Sequence, residues 1–274
     1  TIAEFRKYAP YAESNITFDQ LNSSAVSAKK MMMIILTKDV YSEIVKVDGE
    51  LKEALCMAMA NLTMAKQLIF DIVSNRKNDV DIYKHETMRR SYIENYFNAM
   101  DTVIQLLDSE DKYPSWKETR YKKLLDGLKI QSTEDFDILY SIDLSYLFFF
   151  RTIPIQKEAL DDGLSAYFER AEDKEDVLRM LHRCLAKQTI AIALRRFDII
   201  EFPPTIRSLF DDSKASRSGK DEQERMLALS ASLMDEVKQE LANIDLILTS
   251  DSSGSVDTNT SFNRPDDIIL VMPC

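Results

Sequence analysis

Glycine is the residue type that most constrains this chain. Five glycines are spread over 274 residues, at Gly49, Gly127, Gly163, Gly219 and Gly254, and no two lie closer than 35 positions. An average chain carries about 7% glycine. A phosphate-cradling loop or a dinucleotide fingerprint needs two or three glycines within about six to eight residues, so that backbone amides can approach the anion. Neither is present. β-Hairpins draw on glycine at the positive-φ positions of their turns, so the scarcity also argues against an all-β protein. The expectation is an all-α chain, and with 45% apolar residues it has enough material for a substantial core.

Charge and cysteine usage narrow the class further. A net charge of −11 repels phosphate backbones and acidic lipid surfaces, so sequence-reading nucleic-acid binding would require a localised basic patch. The pairs Arg89-Arg90 and Arg195-Arg196 fall inside amphipathic stretches and read as solvated or ion-paired helix faces. Cys56, Cys184 and Cys274 show no CxxC spacing and no secretory pattern opens the chain, which suits a reducing compartment. The longest dense apolar runs, Met31–Leu36 and Tyr146–Phe150, fall far short of the roughly 18 residues that span a bilayer, so a soluble protein is expected.

Hydrophobic periodicity places the helices. A segment from Phe18 to about Val47, capped by Thr17 and closed before Gly49, has a potential break near Thr37-Lys38-Asp39. Glu50–Ser74 carries Leu51, Ala54, Leu55, Ala58, Leu62, Ala65, Ile69 and Val73 at three- and four-residue steps. Met57, Met59, Met64 and Phe70 widen that face, which reads as a central buried helix. After the polar turn 75–79, Tyr83–Asp108 has its stripe at Met88, Tyr92, Tyr96, Ala99, Met100, Val103 and Leu107. A short helix follows from Ser115 to Leu125, then another behind the capping pattern Ser132-Thr133-Glu134-Asp135. Pro154 is expected to interrupt or kink its element, with a further helix over 155–171 broken at Gly163. Lys174–Phe197 is next, then a turn near 206–210 and a loop over 211–220. Asp221–Leu248 closes the core with a near-heptad seam of Met226, Ser230, Leu233, Val237, Leu241, Ile244 and Leu248.

The ends differ in kind from this helical domain, which spans 17–248. Residues 1–16, with Tyr8 and Tyr11 around Pro10, read as an extended arm or a short first element. Residues 249–263 are almost wholly Ser, Asp, Thr, Asn and Gly, the composition of a flexible linker. Within the tail 249–274 that linker leads to a strand-like apolar tip, Ile268, Ile269, Leu270, Val271 and Met272, suited to a sheet edge or a groove. Tyr8, Tyr11 and these five tip residues are the candidate partner-binding residues, with docking to a partner subunit or folding back onto the same chain both open.

Catalytic and metal chemistry find little support. A di-iron bundle site uses Glu-x-x-His, yet His85 follows Ile82 and His182 follows Arg179 at that spacing. His182 and Cys184 are two apart on one helix and point away from each other. Asp161-Asp162 and Asp211-Asp212 fit capping and solvation. Trp116 reads as a core or interface anchor, and the 12 methionines as filling between helices. No catalytic residue, cofactor or metal is expected.

The block Tyr83-Lys84-His85-Glu86-Thr87-Met88-Arg89-Arg90-Ser91-Tyr92-Ile93-Glu94-Asn95-Tyr96-Phe97, with Trp116 and the segment Asp143-Leu144-Ser145-Tyr146 behind it, resembles an all-helical family encoded in bacteriophage and prophage structural gene clusters. The resemblance covers about residues 50–200. It implies a non-enzymatic virion protein made in the bacterial host cytoplasm and placed at the portal vertex. The role implied is that of a head–tail connector, a neck or ring adaptor that forms a cyclic homo-oligomer and contacts the portal and other neck or tail proteins. No membrane partner is implied, and DNA would only pass through the ring. A cytosolic helical interaction scaffold and an all-α small-molecule enzyme remain as alternatives.

Overall fold

A computed structural model describes residues 2–9, 16–74, 82–109, 112–210 and 219–252. Every regular element among them is helical. Residues 2–8 realise the second of the two expectations for the amino-terminal segment. They form helix α1 (Ile2–Tyr8), not an extended arm, and Phe5 and Tyr8 pack against Leu21, Ala60 and Met64 in a small satellite core.

Three long helices make the first layer. These are α2 (Phe18–Lys46), α3 (Glu50–Ser74) and α4 (Ile82–Ser109), with α3 packed along both neighbours. At the start of α2 the Thr17 backbone N–H donates to Gln20 Oε1 at 2.9 Å. The break expected near Thr37 is present: φ is 60° and ψ 169° at that residue, and two helical pieces meet there. A β-branched residue in this glycine-favoured region stores strain of roughly 1–3 kcal/mol. It is tolerated because both pieces bury apolar faces, Met32, Ile35 and Leu36 before the break and Val40 and Ile44 after it.

Helix α3 is central to that layer, but its apolar face is narrower than its sequence implies. Leu51, Leu55, Ala58, Leu62 and Ala65 are buried, whereas Met57, Ile69 and Phe70 are exposed. The expected turn at 75–79 lies outside the described residues.

Short helices follow α4. The stretch expected as one helix is two, α5 (Pro114–Lys117) and α6 (Arg120–Leu125). Thr119 causes the division. Its hydroxyl donates to the Trp116 carbonyl at 2.7 Å and accepts from the Lys122 N–H, ending one helix and capping the next. Helix α7 (Thr133–Leu139) starts at Ser132, whose Oγ accepts the Asp135 N–H at 3.0 Å.

The second layer is built on α8 (Tyr146–Ala159), which runs through Pro154 instead of ending there. A mid-helix proline costs about 3 kcal/mol. Burial of Leu147, Phe148, Phe149, Phe150, Ile153 and Ile155 outweighs it, since each such side chain contributes roughly 1.5–3 kcal/mol. The chain then passes through a π-turn, Leu160–Leu164, into α9 (Ser165–Arg170). Gly163 makes that widened turn possible, with φ at 124°, where a Cβ would be strained.

Helix α10 (Glu175–Arg196), a 3₁₀ turn (Ile199–Glu201), α11 (Pro204–Ser208) and α12 (Gly219–Ser252) complete the chain. The near-heptad seam of α12 faces α10, with Met226, Ser230, Leu233, Val237, Ile244 and Leu248 buried and Leu241 half-buried. Helix α12 continues past the expected boundary at 248 as far as Ser252, and the Thr249 hydroxyl donates to the Asp245 carbonyl at 2.7 Å.

Two polar groups in this core have measurable consequences. Asp101 of α4 reaches the first turn of α8, where its Oδ1 accepts the Leu147 N–H at 2.7 Å and the Ser145 hydroxyl at 3.2 Å. Gln156 of α8 is fully buried, and neither its amide nitrogen nor its oxygen has a hydrogen-bond partner. An unmet buried polar group costs about 1–3 kcal/mol. Gln156→Met, close in shape, should therefore raise the unfolding free energy by about that much. Urea titration followed by circular dichroism reads the gain; an unchanged midpoint would show that the amide is satisfied in solution.

Candidate functional site

A cleft of about 270 Å³ opens between the first layer and the end of α10. Its walls are Ile34 and Ile35 of α2, Leu62 and Ile69 of α3, and Ile93 and Phe97 of α4. The 3₁₀ turn after α10 forms one lip. That turn is fixed by an Asp-x-x-Glu capping pattern: Asp198 Oδ1 accepts the Ile200 N–H at 3.1 Å, and Glu201 Oε2 accepts the Asp198 N–H at 3.3 Å.

Charge is distributed unevenly around these apolar walls. Lys66, Arg89 and Arg151 line the cleft together with Asp198 and Glu201. Arg151 and Glu201 form a pair at 3.1 Å, and the guanidinium lies 4.4 Å from the centre of the Phe197 ring. Glu201 is thereby engaged. Among the described residues, no ion pair or hydrogen bond joins Lys66 or Arg89 to a carboxylate. Burial and the Arg89 charge hold the Lys66 ammonium below its usual pKa, with Glu201 partly opposing them. Tyr96, buried at the back of the cleft, is pushed above the usual phenol range by desolvation. Two cations on half-apolar walls favour an anionic group attached to an apolar body.

Of the residues singled out from sequence, Tyr8 is not among those lining this cleft. Tyr8 is half-buried on α1, its carbonyl accepts from Asn61 Nδ2 at 3.0 Å, and the Lys7 ammonium sits 5.3 Å from its ring centre. Tyr11, Ile268, Ile269, Leu270, Val271 and Met272 lie outside the described residues. Of the arginine pairs, Arg196 is ion-paired with Glu158 through both terminal nitrogens at 2.6 Å, and Arg195 donates to Ser230 Oγ at 2.9 Å. Arg89, expected on a solvated or ion-paired face, lines the cleft.

Sequence reasoning missed Lys66, Arg151 and Glu201. Usable signals were present, a lone arginine directly after Phe148-Phe149-Phe150 and the capping spacing of Asp198 and Glu201.

His182 shows no catalytic arrangement. Its Nδ1 lies 2.7 Å from the Leu178 carbonyl, and its ring meets Phe168 edge-on. Burial pushes the Cys184 thiol up to about 11, away from thiolate character. Among the described residues no three metal-binding side chains come together, and no helix is long and apolar enough to cross a membrane.

No family model, no curated protein and no solved structure matches the chain.

Proposed function

We propose that this chain is a structural subunit of a tailed-bacteriophage neck, a head–tail connector that assembles as a cyclic oligomer at the portal. The observation that carries the proposal is the apolar cleft, with Ile34 at 58% and Ile69 at 44% exposure on its walls. Large apolar side chains grouped at one opening mark a surface that another protein covers. The resemblance of residues 83–97 to phage structural proteins supports the same assignment, because that block is the amino-terminal half of α4 and contributes Arg89, Ile93, Tyr96 and Phe97 to the cleft. In a ring the contacts are heterologous, with one patch of each subunit facing a different patch of the next. The net charge of −11 also suits a passage through which DNA must move without being retained.

Light scattering and negative-stain imaging of the purified chain, alone and with portal-bearing capsids, test the proposal. Rings, or decoration of a single capsid vertex, are expected. A monomer that ignores those particles overturns it in favour of a helical scaffold. Replacing the exposed pair, Ile34→Glu with Ile69→Glu, should reduce the measured mass to that of one chain while leaving the helical circular-dichroism signal unchanged. Rings of unaltered mass would show that the cleft takes no part in assembly.

A further inference from the structure

Building on the connector assignment, we infer that the cleft receives the apolar tip, residues 267–272, of a neighbouring copy of this chain. The first support is chemical complementarity. Asp266 and Asp267 immediately precede Ile268-Ile269-Leu270-Val271-Met272, so an acidic pair leads directly into an apolar run. The cleft offers Lys66 and Arg89 with Ile34, Ile35 and Ile69, while of its carboxylates Glu201 is paired with Arg151 and Asp198 caps the turn at Ile200. An extended segment laid into it would meet both cations and apolar walls.

The path of α12 selects a neighbour's tip over the chain's own. Helix α12 runs antiparallel to α10: Ser230 lies beside Arg195, Glu236 pairs with Lys187 at 2.7 Å, and Glu240 stands 3.7 Å from Arg183. Farther along, Asp245 meets Tyr167 and Arg170 of α9 at 2.9 and 2.8 Å. The cleft lip at Phe197–Glu201 is therefore at the Ser230 end of α12. From there to Ser252 the helix carries the chain about 33 Å away, at 1.5 Å per residue.

Residues 253–266 must bridge whatever separates Ser252 from the tip's binding site. A relaxed linker of that length spans about 20 Å, and a taut one at most about 50 Å. Returning to its own cleft, about 33 Å back along the helix, would require fourteen residues to span more than their relaxed length. A neighbouring copy sets no such requirement, because its cleft is not held at that distance from Ser252.

Photo-crosslinking of the full chain provides the test. A chain carrying p-benzoylphenylalanine in place of Leu270 is mixed with a ¹⁵N-labelled chain lacking the probe, irradiated, and mapped by mass spectrometry. Light-to-heavy adducts on α2, α3 or α4 beside the cleft are expected. Lys66→Glu with Arg89→Glu in the heavy chain should lower their yield about tenfold, the equivalent of about 1.4 kcal/mol. Asp266→Lys with Asp267→Lys in the light chain should restore it.

Adducts confined to light chains would place the tip in its own cleft and overturn the inference, as would adducts elsewhere or none. Ring formation is scored separately by mass. Rings without cleft adducts would refute the tip contact and leave the connector assignment standing, whereas a monomer without light-to-heavy adducts would refute both.

Discussion

Trp116→Ala should lower the unfolding free energy by about 3–5 kcal/mol. The indole is 1% exposed and stacks on Phe150 with ring centroids 5.3 Å apart and planes 26° from parallel. Its N–H donates to Asp108 Oδ1 at 2.7 Å, and the same oxygen accepts from the Lys122 ammonium at 2.9 Å. That ammonium lies 5.9 Å from the centre of the Phe150 ring. Truncation leaves a cavity against a central helix and also deprives Asp108 of one of its two donors.

Trp116→Phe keeps much of the ring area but loses the N–H, and should cost less than half as much. Domains of this kind have roughly 5–15 kcal/mol in total, so the alanine variant is expected to unfold at far lower urea. Trp116 is the only tryptophan, so both variants must be followed by circular dichroism. A shift below about 1 kcal/mol would mean that α5 and α6 are not part of the cooperative core.

Asp101 should make stability depend on pH between about 4 and 6. Burial pushes its carboxyl up to about 6, although amide bonds from Leu147 and Tyr146 and the Ser145 hydroxyl pull the other way. In the unfolded chain an aspartate titrates near 3.9. Between these values the folded state binds more protons than the unfolded state, so this group makes stability fall as pH rises from about 4 to about 6. A difference of about 2 units corresponds to about 3 kcal/mol.

Asp101→Asn keeps an oxygen that accepts from Leu147 and Ser145 and cannot ionise. It should match the parent near pH 4 and exceed it by about 2–3 kcal/mol above pH 6.5. Asp101→Ala leaves both donors unmet at a helix start and should be destabilised by about 2–4 kcal/mol at pH 4, but it cannot ionise, so its deficit relative to the parent should close above pH 6.5. Denaturation curves across pH 4–8 distinguish the three proteins. An asparagine variant less stable than the parent at pH 7.5 would show that the first turn of α8 stabilises the carboxylate more than burial opposes it.

Local signals were legible wherever the cause was local. The stripes of α3 and α4 appear as helices with ends close to those read from periodicity, and Ser132 and Thr17 mark their helix starts because a cap is a contact within four residues. The break at Thr37 was visible in the polar run Thr37-Lys38-Asp39. Pro154 misled because the local penalty is real but smaller than the burial of the phenylalanines around it, a quantity set by distant partners. Ile69 and Phe70 continue the periodic stripe of α3, and only the extent of its neighbours leaves them uncovered.

The cleft was illegible for the same reason. Lys66, Arg89, Arg151 and Glu201 come from α3, α4, α8 and the turn after α10, and no spacing in the chain records their meeting. Taken alone, the sequence determined the all-helical class, through scarce glycine and three- to four-residue periodicity, and the position of nearly every long helix. These follow from backbone preferences and contacts within a few residues. Tertiary packing decided how much of the α3 face is covered, which polar groups are buried and which charges meet in the cleft. Burial and electrostatic energy depend on distances between segments far apart in the chain, and those distances exist only once the layers have packed.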